Sequence, residues 1–176
     1  MFSHFSSQRL ESAVRLLVPQ LLLVLLLLIG LASLPVPYFG AIKPQLVIMA
    51  IYYWAVYRPT LIPPLFCFLL GLTMDIIAGG VLGINAFILV IMQWIVRDQR
   101  RFLMGQPYIT IWGVFALVIF LCSAAQWLLY SMAHGAWYPP LPAGLSALIS
   151  FFLFPFVTLL LNLTHRILPE DTRPYP

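Results

Sequence analysis

The chain has 176 residues, of which 62% are hydrophobic and only 8% are charged. Soluble domains carry about 25% charged residues, so this composition excludes a soluble protein and indicates an integral membrane protein. A crossing needs about 20 apolar residues, and we therefore expect one transmembrane domain over residues 1–176, with short cytoplasmic tails at 1–13 and 164–176.

The first third of the chain predicts two helices. A leucine-rich run predicts a lipid-facing helix from about Val14 to Leu34, and we interpret it as a retained helix because the run is too long for a typical signal peptide. A second helix follows Pro44 and ends near Tyr57. Aromatic residues at its end predict an interfacial belt: Tyr52, Tyr53, Trp54 and Tyr57.

A glycine-rich break separates the next two predicted helices. The third runs from about Leu61 to Ala78, with Thr60 as a candidate cap, and the fourth from about Ile84 to Val96. Basic residues follow the fourth helix.

The last third predicts two more helices. Pro107 opens the fifth helix, which runs to about Met132, and the sixth runs from about Ala143 to Leu163. The expected fold is therefore an all-α bundle of six transmembrane helices.

The positions of Lys and Arg predict the orientation of this bundle. With six crossings both termini lie on one side, together with eight of the nine basic residues, and only Lys43 lies on the other side. Because basic loops stay in the cytoplasm, we expect both termini to be cytoplasmic and Asp75 to lie near the outer side. The net charge of +4 therefore reports orientation, and it does not indicate nucleic-acid binding.

Asp75 is the acidic residue that lies inside an apolar segment. A carboxylate at the centre of a membrane helix costs about 2.5–3.5 kcal/mol, so it requires partners. Gly71, Asp75 and Gly79 are four residues apart and share one helix face, where small residues let another helix approach closely. Asn85 opens the next helix and is placed to cap it or to bond toward Asp75.

Two interpretations of Asp75 stay open. In the first, its carboxylate accepts hydrogen bonds from Asn85 or from nearby backbone and fixes the turn between helices three and four. In the second, it binds a ligand, a proton or a partner helix. A pair with Lys43 is also compatible with the sequence.

The basic cluster Arg97, Arg100 and Arg101 has two interpretations as well. It is either a topology determinant beside anionic headgroups or a docking site for a cytoplasmic protein.

The sequence contains no pattern typical of an enzyme or a metal site. Cys67 and Cys122 lie in apolar runs and predict buried thiols, and the three histidines are far apart. No nucleophile–base pair or phosphate-binding loop is visible. We therefore expect no cofactor, no metal and no catalytic residue.

The pattern Gly71-x-x-x-Asp75-x-x-x-Gly79-x-x-Leu82-Gly83, followed by an apolar helix and a basic loop, resembles the rod shape-determining protein MreD family. The similarity covers nearly all of residues 10–168. The family's motif residues correspond here to Gly71, Asp75, Gly79, Leu82 and Gly83, to which we add Asn85 as a candidate.

The resemblance implies a role in bacterial cell shape. It implies a multi-pass protein of the inner membrane that acts as a non-catalytic scaffold of the elongation machinery. The implied partners are MreC, MreB filaments, and RodA with its transpeptidase partner, in the synthesis of peptidoglycan; anionic lipids are expected at the basic loop.

The family is also similar in architecture to the substrate-binding components of ECF vitamin transporters. The alternative function is therefore a transporter subunit that binds a small molecule. That function needs a pocket lined by converging polar groups, for which Asp75, Asn85, Ser123 and Gln126 are the candidates.

Overall fold

A computed structural model of the chain describes residues 19–30 and 42–167. Within these residues all regular structure is helical, as predicted, and no strand occurs. The helices are α1 (Pro19–Gly30), α2 (Leu46–Tyr57), α3 (Pro64–Ala78), α4 (Ile84–Asp98), α5 (Arg100–Leu103), α6 (Tyr108–His134) and α7 (Leu141–Ile167).

Most helices begin and end within a few residues of the predicted positions. The start of α3 differs, because Pro63 is extended at the N-cap and Pro64 occupies the first helical position, where its fixed φ and missing N–H are tolerated. The Thr60 cap was therefore a wrong prediction. Helix α7 continues to Ile167, into the expected tail. The predicted ends of the first helix lie outside the described residues.

The helix α2 forms the centre of the bundle. Eleven of its twelve residues are buried, and it packs against α4 and α7. A helix that is apolar on all sides has to be enclosed by protein or lipid, and here the protein encloses it.

The aromatic residues of α2 belong to this core, so the predicted interfacial belt was wrong for most of them. Tyr52 and Trp54 are 0% exposed and Tyr53 is 5% exposed. The ring of Tyr52 packs against Phe115 of α6 and Phe154 of α7, with centroids 5.2 and 5.7 Å away. Its hydroxyl donates to the carbonyl of Ile111 at 2.9 Å.

The helices α6 and α7 are long and apolar enough to cross a membrane. Each has 27 residues, which corresponds to about 40 Å at 1.5 Å per residue. In the most apolar window of each helix only 28% and 39% of the residues are buried. The remaining apolar surface faces outward, as expected for contact with lipid.

The helices α3 and α4 form a close hairpin. A Cβ atom added at Gly71 would overlap with the backbone of Ala86 and would lie 2.8 Å from the carbonyl carbon of Asn85. The small-residue face of α3 is therefore already occupied by α4 of the same chain at this position.

Helix α7 contains Pro155 in its interior. Proline has no N–H, so the carbonyl four residues earlier, at Phe151, loses its helical donor. The indole Nε1 of Trp112 on α6 donates to that carbonyl at 3.1 Å, and its ring stacks on Phe151 with centroids 4.7 Å apart. Helix α6 thus supplies the donor that the proline removes.

The substitution Trp112→Phe should reveal this compensation in a double-mutant cycle. It keeps an aromatic ring but removes the donor, so it should lower the free energy of unfolding by about 1 kcal/mol. In a Pro155→Ala background, where residue 155 has its own N–H, the same change should cost much less. Unfolding in detergent, followed by circular dichroism, measures both values; equal costs in the two backgrounds would contradict the assignment.

Candidate functional site

The carboxylate of Asp75 is completely buried at the end of α3. Its Oδ2 accepts the backbone N–H of Gly83 at 2.8 Å. Its Oδ1 accepts two bonds from Asn85, one from the side-chain Nδ2 at 2.7 Å and one from the backbone N–H at 3.3 Å. Both oxygens therefore act as acceptors, which is the condition that makes a buried carboxylate tolerable.

Two glycines allow the chain to reverse around this carboxylate. Gly79 ends α3 with φ +64° and Gly83 precedes α4 with φ +97°, a region that favours glycine. The N–H of Gly80 donates to the backbone carbonyl of Asp75 at 3.2 Å. The backbone carbonyl of Asp75 thus holds the end of α3. Its side chain holds the start of α4, where the first N–H groups have no helical acceptor.

Amide side chains extend the site from Asp75 to the start of α2. Gln126 on α6 donates from Nε2 to Oδ1 of Asn85 at 2.8 Å. Gln45, which precedes α2, donates from Nε2 to Oε1 of Gln126 and to the hydroxyl of Ser123, both at 3.0 Å. Each amide therefore donates toward the carboxylate. We call Asp75, Asn85, Gln126 and Gln45 the Asp75 network.

Gln45 is also the N-cap residue of α2. Its backbone N–H donates to the hydroxyl of Ser150 on α7 at 2.8 Å. Its side-chain Oε1 is buried and has no hydrogen-bond partner. The Asp75 network therefore joins the start of α2 to α4, α6 and α7 and leaves one acceptor unpaired.

A cleft of about 410 Å³ lies beside the network. Its lining includes Gln45, Asn85, Gln126, Tyr130 and Tyr138. The hydroxyl of Tyr130 accepts a bond from Nδ2 of Asn85 at 3.2 Å. The polar groups do converge here, but those that line the cleft mainly bind one another.

The turn carries one large apolar side chain outward. Leu82 is 64% exposed although it lies between Gly80 and Gly83, whose N–H groups both bind Asp75. Because the carboxylate fixes Gly83, it also fixes the position from which Leu82 projects.

The basic cluster lies elsewhere in the molecule, and its members differ. Arg100 donates from Nε to the carbonyl of Val56 at 2.9 Å, with a longer bond of 3.5 Å to the carbonyl of Tyr57. It therefore caps the end of α2, where helical carbonyls lack donors. Arg97 and Arg101 are exposed.

The structure thus brings together five of the predicted residues, Gly71, Asp75, Gly79, Gly83 and Asn85, with Leu82 facing outward. Lys43 is exposed and is not a partner of the carboxylate. In the described part of the chain, no group of three metal-ligating side chains comes together.

Gln45 and Tyr130 also belong to this site, although neither was predicted from the sequence as a site residue. A signal existed for Tyr130, because Ser123, Gln126 and Tyr130 are three and four residues apart and share one face of α6. No comparable pattern marks Gln45, which lies in a loop.

Comparison with known proteins supports the family resemblance. The model of the rod shape-determining protein MreD family matches residues 11–164. The rod shape-determining protein MreD of Haemophilus influenzae is 29% identical over 146 residues, which cover 81% of this chain and 87% of that protein. These matches do not favour the transporter alternative. No solved structure matches the chain.

Asp75→Asn should destabilise the protein although it preserves the shape of the side chain. Both carboxylate oxygens face N–H donors, so the new amide group opposes a donor in either orientation. We expect a loss of about 2–3 kcal/mol in the free energy of unfolding, measured by denaturant unfolding in detergent.

Asp98→Asn is the matched control, because Asp98 is exposed at the end of α4; its unfolding curve should coincide with that of the unaltered protein. An Asp75→Asn protein as stable as this control would show that the carboxylate does not hold the turn.

Proposed function

The chain belongs to the rod shape-determining protein MreD family, and we propose that it acts as a non-catalytic scaffold of the machinery that elongates rod-shaped bacteria. The family match supports a role in determining rod shape. The scaffold function is our inference from the site, where the acid, the amides and the turn bind one another and leave an apolar side chain exposed.

The proposed setting is the bacterial inner membrane, with six crossings and both termini in the cytoplasm. The distribution of charge in the described residues supports this orientation. Arg97 and Arg101 lie at the end of the bundle where Arg100 caps α2, whereas Lys43 lies near the opposite end of α2. Basic residues mark the cytoplasmic side of membrane proteins.

We assign the turn that carries Leu82 to the binding of MreC. Exposed apolar residues also precede it at the end of α3, where Ile76 is 63% and Ile77 54% exposed. A transmembrane segment of a partner can pack on such a surface. The Asp75 network below the turn keeps the surface rigid, which reduces the entropy lost on binding.

The opposite end, with Arg97 and Arg101, is assigned to the cytoplasmic side, where MreB filaments assemble. RodA and its transpeptidase partner are proposed to join through the membrane face of the same assembly. The protein would thereby connect filaments on one side to peptidoglycan synthesis on the other by binding alone.

Leu82→Ser should weaken co-purification with MreC while leaving the fold intact. The change removes exposed apolar surface at the turn and touches none of the four residues of the Asp75 network. Loss of one buried leucine contact corresponds to about 1.5–3 kcal/mol, or a decrease in affinity of at least about tenfold. Pull-down from membranes solubilised in mild detergent measures the association.

Leu65→Ser is the control for that experiment. Leu65 is 68% exposed, about as much as Leu82, but lies at the other end of α3. Equal recovery of MreC with all three proteins would contradict the assignment of the turn.

The orientation can be tested by thiol labelling of single-cysteine proteins. The buried Cys67 and Cys122 are first replaced by serine or alanine, and Lys43→Cys or Arg101→Cys is then introduced. A maleimide that cannot cross the inner membrane should label position 43 in intact spheroplasts and position 101 only after lysis. The reverse pattern would invert the proposed topology, and labelling of both positions in spheroplasts would exclude it.

A further inference from the structure

A second cleft, of about 560 Å³, lies at the basic end of the bundle. It lies between the turn that follows α2 and the end of α4. Its lining includes Pro59, Gln93, Trp94, Arg97, Asp98 and Arg101. We refer to it as the basic cleft.

The basic cleft offers two guanidinium groups to an anion. Arg97 and Arg101 are both exposed, whereas Arg100 beside them is hydrogen-bonded to the end of α2. Guanidinium groups bind phosphate oxygens in a bidentate manner and with charge assistance. A phosphate is therefore an anion that this part of the cleft can bind.

Gln93 contributes an unpaired hydrogen-bond acceptor to the lining of the same cleft. It is 1% exposed, and its Nε2 donates to the carbonyl of Ile62. Its Oε1 is buried and has no hydrogen-bond partner, which is costly for an acceptor. Since this side chain lines the cleft, its unpaired acceptor favours a ligand that carries a hydrogen-bond donor as well as a phosphate. The carboxylate of Asp98 is a second acceptor for such a donor.

Trp94 indicates where the ligand comes from. Its side chain is 71% exposed at the cleft, and tryptophans of membrane proteins are enriched at the level of the lipid headgroups. A cleft that combines this tryptophan with two exposed arginines is therefore suited to that level.

We propose that the basic cleft binds a phospholipid headgroup in which the phosphate is followed by a hydrogen-bond donor, as in phosphatidylglycerol or phosphatidylethanolamine. Arg97 and Arg101 bind the phosphate, and Oε1 of Gln93 accepts from the hydroxyl or ammonium group. This inference requires no interaction with MreC, so each can fail without the other.

Native mass spectrometry of the purified full chain in detergent tests the proposal. Phosphatidylglycerol is compared with phosphatidylethanol, which has the same charge but no hydroxyl donor in its headgroup. Phosphatidylethanolamine is compared with phosphatidylcholine, whose ammonium is fully methylated. The donor-bearing lipid of each pair should be retained more strongly.

The double variant Arg97→Gln/Arg101→Gln should lower the affinity for phosphatidylglycerol about 30-fold, since each basic residue near a lipid surface contributes a factor of about five. Gln93→Met should weaken the preference within each pair while leaving the charge unchanged. Lys43→Gln, which removes one exposed charge at the other end of the bundle, is the control and should change nothing.

Three results would overturn the proposal. Equal retention within both pairs by the unaltered protein would exclude recognition of the headgroup's hydrogen-bond donor. This comparison does not depend on whether Gln93→Met folds. Unchanged affinity in the double arginine variant would exclude the site. Displacement of the lipid by an equal concentration of soluble glycerol phosphate would show that the cleft takes a free phosphate.

Discussion

The constraint that shapes this protein is the burial of a whole helix inside the bundle. Eleven of the twelve residues of α2 are buried. The N–H and C=O groups at its two ends, which have no helical partner, must therefore find partners inside the protein. Gln45 and Ser150 meet at one end, and Arg100 caps the other.

Both candidate sites follow from this constraint. At the start of α2, a series of amide hydrogen bonds runs from Gln45 through Gln126 and Asn85 to the carboxylate of Asp75. Hydrogen bonds in a buried polar network strengthen one another, so the turn that bears Leu82 depends on residues from α3, α4 and α6 and on Gln45, which precedes α2. At the end of α2, Arg100 caps the helix, whereas Arg97 and Arg101 beside it are exposed.

The sequence predicted the features that local chemistry controls. Helix order follows from apolar runs and prolines, and the bond between Asp75 and Asn85 follows from an acid that needs a donor beside a glycine turn. Family membership, predicted from the glycine spacing around Asp75, is confirmed by the match over residues 11–164. The burial of Tyr52 and Trp54 was not predictable in this way, because aromatic residues occur both in interfacial belts and in cores. The roles of Gln45 and Arg100 depend on tertiary contacts, since an all-apolar α2 has no periodic face that indicates its neighbours.

We propose that Asp75 contributes to cell shape by holding the turn from which Leu82 projects. The most direct measurement is the length-to-width ratio of cells whose only copy of this gene encodes the unaltered protein, Asp75→Ala or Leu82→Ser, each at equal membrane abundance. We expect rods with the unaltered protein and rounded cells with both variants. Rods of normal ratio with Asp75→Ala would contradict it.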